Sequence, residues 1–301
     1  MMSDYAWSKS SLKSLLDGCS WQWALRKIYE LEDHGSPATA MGTGFHKAIE
    51  EWENSKRTLS LEQMQSVAAE SAFEECKLLP MEQWFEHGTD PEQTVEFAKE
   101  SVRIWSDTPI NKGATIREIV SDWDCIGTET YWKNSFADFT LHGYVDSVYE
   151  SDREIIVVDN KTAGSMRRWK YDQDMNLEAS VYLALAHKAQ NEGLLPDKPI
   201  TFQYHVVSAK EGKARIIDMG YMGQESFDIL IGALREAEAI KKHDAYRPKP
   251  DWNLCSRKYC AFFDGCRISG TLTPYHLTIS NKPSSDNPPI TDEEAGNPSP
   301  G

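Results

Sequence analysis

The sequence predicts an α/β fold from three observations on its hydrophobic pattern. Apolar residues recur at helical spacing over most of the first third of the chain. From residue 115 to 150 the pattern alternates as in β-strands, and residues 155–158 are all β-branched, which is typical of a strand covered on both faces. Helical and strand-like segments then follow one another up to residue 243, which completes an α/β pattern.

Each predicted element has a signal of its own. The first helix contains Cys19 or breaks near Gly18, and the second opens on Gly42 and Gly44, which let its start lie close to the sheet. The predicted helices cover residues 12–25, 41–54, 61–79, 92–105, 169–191 and 224–243. The predicted strands cover residues 126–132, 136–149, 155–158, 201–207 and 214–221.

The composition predicts one domain followed by a tail. Residues 1–270 are expected to fold together, with an acidic helical insert at about 55–112. Beyond residue 270 periodicity is lost and Pro, Ser, Asn and Asp accumulate, so we expect a disordered tail over 271–301.

The charge balance excludes one class of protein. With 32 basic and 47 acidic side chains the formal net charge is −15, which argues against coating nucleic acid through a large basic surface. A local positive groove remains compatible with it. No apolar run approaches the roughly 18 residues of a membrane span, and no secretory signal is recognisable at the start. We therefore expect a cytoplasmic protein with no membrane partner.

Two aspartates and a lysine carry the main chemical signal. Asp146 ends the segment Gly143-Tyr144-Val145-Asp146, whereas Asp159 and Lys161 follow the apolar strand 155–158. If the two strands form a hairpin, both carboxylates meet at one sheet edge, with Lys161 on the face of Asp159. Such a pair can hold Mg²⁺ or Mn²⁺ while leaving room for water and phosphate, and the lysine can position that water. The alternative is an exposed strand end with a surface ion pair.

Two predicted helices supply further candidates. His46 is either a third metal ligand or the partner of Glu50 in an ion pair on the helix face. Glu178 and Tyr182 lie one turn apart on the predicted helix 169–191, as functional groups or as ordinary surface and core positions.

A basic, aromatic segment is a candidate substrate contact. Arg167 and Arg168 belong to a short positive stretch that fits a phosphate groove, although exposed basic residues are also common on ordinary surfaces. Trp169 and Tyr171 beside them, with Tyr182, could stack unpaired bases or pack in the core.

Four cysteines form a candidate metal or cluster site. Cys255, Cys260 and Cys266 lie within twelve residues, and Cys19 is the candidate fourth ligand from the start of the chain. Their irregular, long-range spacing favours a 4Fe–4S cluster, with a structural Zn²⁺ as the alternative. The other two cysteines are interpreted as buried thiols.

Together these residues resemble the RecB-like branch of the PD-(D/E)XK nucleases. The likeness is to its iron–sulfur members, namely CRISPR-associated exonucleases, the AddB nuclease domain and the exonuclease V group. It covers residues 8–266 and depends on an ordered series of motifs: Cys19, Gly42-Xaa3-His46, Gly143-Xaa2-Asp146, Asp159-Asn160-Lys161-Thr162, Glu178-Xaa3-Tyr182, then Cys255, Cys260 and Cys266.

The resemblance implies a mixed β-sheet flanked by helices, as in restriction endonucleases. It implies that His46, Asp146 and Asp159 bind Mg²⁺ or Mn²⁺, that Lys161 is catalytic with the two aspartates, and that the four cysteines hold a 4Fe–4S cluster. Two departures stand out. Glu178 replaces the usual glutamine of the helix motif, and Cys255 and Cys260 are separated by four residues where two are usual.

The activity that the resemblance implies is a metal-dependent DNA exonuclease acting on single-stranded DNA or DNA ends. It would serve DNA recombination, repair or CRISPR adaptation, in the host cytoplasm if phage-encoded. The alternative is a catalytically weak DNA-end-binding subunit of a helicase–nuclease or spacer-acquisition complex. A protein partner from recombination or CRISPR adaptation and a homo-oligomer both remain open.

Overall fold

The computed structural model of the chain has a mixed sheet flanked by helices, which confirms the predicted fold class. It describes residues 5–110, 113–136, 138–167, 177–221, 223–274 and 277. Within these ranges the strands are β1 (Ala6–Trp7), β2 (Asp124–Phe136), β3 (Phe139–Glu150), β4 (Ile155–Thr162), β5 (Ile200–Ser208) and β6 (Lys213–Gly220).

Helices cover both faces of this sheet. They are α1 (Lys9–Leu16), α2 (Ser20–Lys27), α3 (Pro37–Asn54), α4 (Leu61–Lys77), α5 (Met81–His87), α6 (Pro91–Asp107), α7 (Ile116–Ser121), α8 (Leu177–Asn191) and α9 (Gln224–Lys242). A π-helical turn, Asp264–Ile268, follows near the cysteine-rich segment.

The sheet has the order β1-β3-β4-β5-β6, and β2 pairs with β3. The β1–β3 and β4–β5 pairs are parallel, and the other pairs are antiparallel. The strands β3 and β4 form the predicted hairpin, in which Ser147 pairs with Val158. This register carries the two aspartates to neighbouring positions at one end of the sheet.

Two hydrophobic cores lie on opposite faces of the sheet. Residues of α1, α2, α8 and α9 form one core, in which Trp7, Trp23 and Tyr246 stack on one another. Residues of α3, α4, α6 and α7 form the other, where the Trp52 and Trp105 rings meet edge to face. Burial of these large aromatic side chains stabilises both layers of helices.

The N-terminal helix breaks at the predicted position. Ser8 caps α1 by accepting a hydrogen bond from the Ser11 amide, and Cys19 is the N-cap residue of α2. A Cβ at Gly18 would lie 2.7 Å from the Ser14 carbonyl oxygen, so the close turn between the two helices requires glycine.

The prediction of strand structure from residue 115 onward is wrong for its first part. Residues 116–121 form α7, because Thr115 and Glu118 make a reciprocal capping box that satisfies the first free amides of a helix. The short elements β1 and α5 were not predicted, since neither spans enough residues to establish a period.

The region of the predicted insert, 55–112, contains α4, α5 and α6, and α4 and α6 supply much of the second core. In the expected tail, the Leu272 and Leu277 carbonyls still accept hydrogen bonds from Trp21 and Tyr29. Residues 278–301 lie outside the described part of the chain. None of the helices in the described ranges is long and apolar enough to cross a bilayer.

Candidate metal centre

The β3–β4 hairpin brings Asp146 and Asp159 together. The Asn160 amide donates a 2.7 Å hydrogen bond to Asp146 Oδ2, which fixes that carboxylate against the neighbouring strand. Burial and the charge of Asp159 raise the pKa of Asp146, although His46 opposes the shift. The negative charges of these two neighbouring carboxylates repel each other, and a cation bound between them would relieve that repulsion.

His46 approaches the pair from α3. Its Nδ1 lies 3.4 Å from Asp146 Oδ2. The glycines preceding it act at two different contacts: Gly42 faces Thr162 at the end of β4, whereas Gly44 faces α4. The prediction that both glycines serve the approach to the sheet is thus wrong for Gly44. Glu50 pairs instead with Lys47, at 2.9 Å, on the surface of α3.

Glu129 is a fourth candidate ligand that the sequence did not reveal. Its carboxylate oxygen, a His46 nitrogen and an Asp146 oxygen all lie within 4.8 Å of one another. Burial, with the charge of Asp146 added, raises the pKa of Glu129 to about 7. Glu129 comes from β2, opposite Asp146 on β3, so only the strand pairing identifies it.

Lys161 occupies the predicted place beside Asp159. Its Nζ contacts Asp159 Oδ2 and lies 3.0 Å from Glu178 Oε1. Burial by itself would lower the pKa of Lys161, but the charges of Asp159 and Glu178 raise it above its ordinary value. Lys161 is therefore a fixed ammonium group at the edge of the site.

Lys9 is a second lysine at the centre, and sequence reasoning missed it. Its Nζ lies 2.6 Å from Asp159 Oδ1 and 2.8 Å from Glu178 Oε1. The two lysines hold the pKa of Asp159 at about 2 against the opposite effect of burial, and they lower that of Glu178. Glu178 thus stays ionised as the shared partner of two ammonium groups.

The predicted substrate contacts differ in accessibility. Tyr182 is 1% exposed, stacks on Phe202 and donates its hydroxyl to the Tyr144 carbonyl oxygen at 3.0 Å. Its ring is therefore inaccessible to a nucleobase. Arg167 is exposed. Arg168, together with Trp169 and Tyr171, lies outside the described residues.

Comparison with known proteins identifies the family. The sequence model of the PD-(D/E)XK nuclease superfamily matches residues 6–267, which is most of the chain. The chain belongs to the PD-(D/E)XK nuclease superfamily. A search of the curated proteins finds no match to this nuclease.

Solved structures offer a more distant comparison. A chain described as "Crystal structure of SSO0001" matches at 15% identity and a TM-score of 0.31. The match covers 50% of this nuclease and 61% of that chain.

The superfamily is one of nucleases, for which a divalent metal is the expected cofactor. The donor set fits a divalent metal, because the carboxylate oxygens of Glu129 and Asp146 suit Mg²⁺ and Mn²⁺ and His46 adds a nitrogen donor within 4.8 Å of them. Burial, together with neighbouring carboxylates, raises the pKa of both acids, and a bound cation would favour their charged forms. A divalent ion bound there would acidify a coordinated water and stabilise charge on a phosphate.

The four predicted cluster cysteines of the nuclease line one cavity. Trp21, Trp252 and Phe262 contribute apolar walls to it, and Cys19, Cys255, Cys260 and Cys266 are all free thiols. Of the two cysteines interpreted as buried thiols, Cys76 is buried and Cys125 is partly exposed.

Hydrogen bonds join the segment around the start of α2 to residues 247–272 at this cavity. The Arg247 amide donates to Ser20 Oγ at 2.9 Å, and Lys249 Nζ donates to the Asp17 carbonyl oxygen at 3.0 Å. The Trp21 indole donates to the Leu272 carbonyl oxygen at 2.7 Å. The start of α2 is thereby fixed against the cysteine-rich segment.

Proposed function

We propose that this protein is a metal-dependent deoxyribonuclease that degrades single-stranded DNA, or DNA from its ends, as an exonuclease. The observation that carries the proposal is the convergence of His46, Asp146 and Asp159 with Lys161 beside them, in a chain of the PD-(D/E)XK nuclease superfamily. Groups from one helix and two strands meet at this point, as the resemblance implies.

Each group has a distinct role in this proposal. His46, Glu129 and Asp146, whose ligand atoms lie within 4.8 Å of one another, would bind the divalent ion. Asp159, which Lys9 and Lys161 contact, would complete the ligand set. Lys161 orients the attacking water and offsets negative charge that develops on the phosphate. The water loses a proton to solvent as its oxygen bonds to phosphorus, the bond from phosphorus to the leaving sugar oxygen breaks, and that oxygen takes up a proton.

The test is degradation of end-labelled single-stranded and duplex oligonucleotides with Mg²⁺ or Mn²⁺. The wild type should release nucleotides from single strands, and Lys161→Ala and Asp159→Asn should reduce the rate by at least about a hundredfold. The matched control is Lys188→Ala, because Lys188 is a lysine of α8 that pairs with Glu192. Full activity in Lys161→Ala would contradict the proposal.

A second candidate function is DNA-end binding with weak catalysis, as a subunit of a larger complex. Lys9 and Lys161 both hold oxygens of Asp159, so a metal would have to compete with two ammonium groups for this ligand. Purified protein that binds DNA ends but releases no nucleotides with either metal would favour this function.

We further propose that the four cysteines hold a 4Fe–4S cluster that stabilises the fold. The four sulfurs line one cavity that Trp21, Trp252 and Phe262 shield, which supports a common ligand for them. Their irregular, long-range spacing along the chain suits a cluster better than the paired spacing that is usual for zinc.

Anaerobic purification tests the cluster. We expect coloured protein with about four irons per chain, and colour that is lost in Cys19→Ser but kept in Cys76→Ser, the matched control. Colourless protein with one tightly bound zinc would contradict the cluster and select the zinc site.

A further inference from the structure

Two exposed tyrosines lie side by side on the sheet next to the candidate metal centre. Tyr131 of β2 and Tyr144 of β3 are direct cross-strand partners. They are 47% and 60% exposed, and their ring centroids lie 4.9 Å apart. Aromatic rings usually bury such area, so an exposed pair marks a surface that can contact a ligand.

The strand register connects this pair to the metal ligands. Glu129 and Asp146 lie between the cross-strand pairs Thr128–Ser147 and Thr130–Val145. Tyr131 comes two residues after Glu129 on β2, and Tyr144 comes two residues before Asp146 on β3. Two strand residues span about 6.8 Å. A single nucleotide can therefore reach from the metal centre to the rings.

The two tyrosines are supported by buried residues on the other side of the sheet. The hydroxyl of buried Tyr182 donates to the Tyr144 carbonyl oxygen, and Trp132, which follows Tyr131, is buried in the core with α8. A stacking surface on paired strands costs little ordering on binding, unlike one on a loop.

Positive charge follows beyond the tyrosines. Exposed Lys133 on β2 pairs with His142 on β3. Burial lowers the pKa of His142, and the charge of Lys133 lowers it further. Along the two strands the surface thus changes from an acidic centre through aromatic rings to a basic end.

We propose that Tyr131 and Tyr144 stack an unpaired base beside the scissile phosphate of single-stranded DNA, while Lys133 binds a phosphate further along the same strand. This inference rests on the proposed nuclease function and specifies its substrate. A polymer of alternating phosphates and bases matches the order of metal, rings and lysine along the sheet. Duplex DNA does not, because its bases stack on one another.

The experiment measures binding of a fluorescently labelled oligothymidine by anisotropy, in EDTA so that no cleavage occurs. Tyr144→Ala and Tyr131→Ala should each raise Kd about 5- to 150-fold, the usual effect of losing one base–aromatic stack. Tyr144→Phe should bind like the wild type, since it keeps the ring. Lys133→Gln should weaken binding and reduce its salt dependence.

An abasic oligonucleotide separates stacking from phosphate contact. The wild type should bind it less tightly than oligothymidine, whereas Tyr144→Ala should bind the two equally. The matched control is Tyr221→Ala, because Tyr221 is 63% exposed and directly follows β6. Wild-type affinity in both tyrosine variants, or equal weakening for both oligonucleotides, would overturn the inference.

These outcomes separate the inference from the function on which it rests. If the wild type cleaves single-stranded DNA but the tyrosine variants bind it normally, the stacking proposal is wrong and the nuclease proposal stands. If the tyrosine variants bind oligothymidine more weakly but the abasic oligonucleotide normally, and the wild type releases no nucleotides with Mg²⁺ or Mn²⁺, the stacking proposal stands and the nuclease proposal is wrong.

Discussion

Charge at the centre is balanced by residues that lie far apart in the chain. Lys9 is 150 residues from Asp159, and it shares Glu178 with Lys161. Because Glu178 carries a charge where the resemblance leads us to expect a neutral glutamine, Lys9 supplies a second ammonium group that offsets this charge. Lys9 is thus a positioning residue for Asp159 and Glu178.

We predict that Lys9→Ala destabilises the fold by up to about 3–5 kcal/mol, because it leaves two largely buried carboxylates with one ammonium group. Chemical unfolding measures this. Lys13→Ala is the control, since Lys13 is 63% exposed and 3.9 Å from Glu178, and it should change stability by less than about 1 kcal/mol.

Combining Lys9→Ala with Glu178→Gln should recover part of the loss, because the double variant removes the unpaired charge as well. Equal stability of Lys9→Ala and Lys13→Ala would contradict the importance of the Lys9 contacts.

At the scale of elements, α3 places His46 by packing closely on α4. A Cβ at Gly44 would overlap the Ala68 carbonyl oxygen and lie 2.9 Å from Ala72 Cβ, whereas a Cβ at Gly42 would meet Thr162 Oγ1 at an ordinary 3.7 Å. The two glycines are only two residues apart in sequence, yet one faces β4 and the other faces α4.

We predict that Gly44→Ala destabilises the protein by about 1–3 kcal/mol through overpacking against α4. Gly42→Ala should be neutral or stabilising by up to about 1 kcal/mol, because alanine favours the helix and the space is free. Thermal unfolding of the two variants compares them directly. Destabilisation by Gly42→Ala equal to that of Gly44→Ala would contradict this account of α3.

Local sequence pattern was enough to predict the hairpin that forms part of the candidate metal centre. Alternation and strand order bring Asp146, Asp159 and Lys161 together, as the β3–β4 register shows. Glu129 and Lys9 were not predicted. Glu129 reaches the centre through the pairing of β2 with β3, and Lys9 through the packing of α1, and neither arrangement produces a pattern in the local sequence.

Other differences have equally physical reasons. Tyr182 fits both a core and a surface position by sequence, and only the packing on Phe202 shows that it is buried. The helix α7 within the segment interpreted as strand-like from residue 115 could have been predicted, since the spacing of Thr115 and Glu118 is a recognisable capping-box signal.

At the scale of the whole molecule, acid should weaken the fold through a buried histidine of the sheet. His205 on β5 is 1% exposed, and burial lowers its pKa from 6.5 to about 3. In the unfolded chain His205 is therefore protonated as the pH falls through about 6.5, whereas in the folded chain it stays neutral until the pH approaches 3. The stability that neutral His205 contributes is present above pH 6.5 and is lost as the pH falls toward 3.

We predict that the free energy of unfolding falls below pH 6.5 with a contribution from His205 of about 1.4 kcal/mol per pH unit. His205→Gln should make the slope shallower by that amount, and His34→Gln, at an exposed position, should leave it unchanged. Denaturant titrations between neutral and mildly acid pH give the slopes. An unchanged slope in His205→Gln would show that the buried imidazole does not titrate in this way.

The most direct test of the proposed centre counts Mn²⁺ ions. Titration followed by the electron paramagnetic resonance signal of free Mn²⁺ should show a single tight site in the wild type, and an affinity at least about tenfold weaker in Asp146→Asn and His46→Ala. Glu51→Gln on α3, whose carboxylate pairs with Lys47, should bind like the wild type. Wild-type stoichiometry and affinity in both Asp146→Asn and His46→Ala would contradict the account.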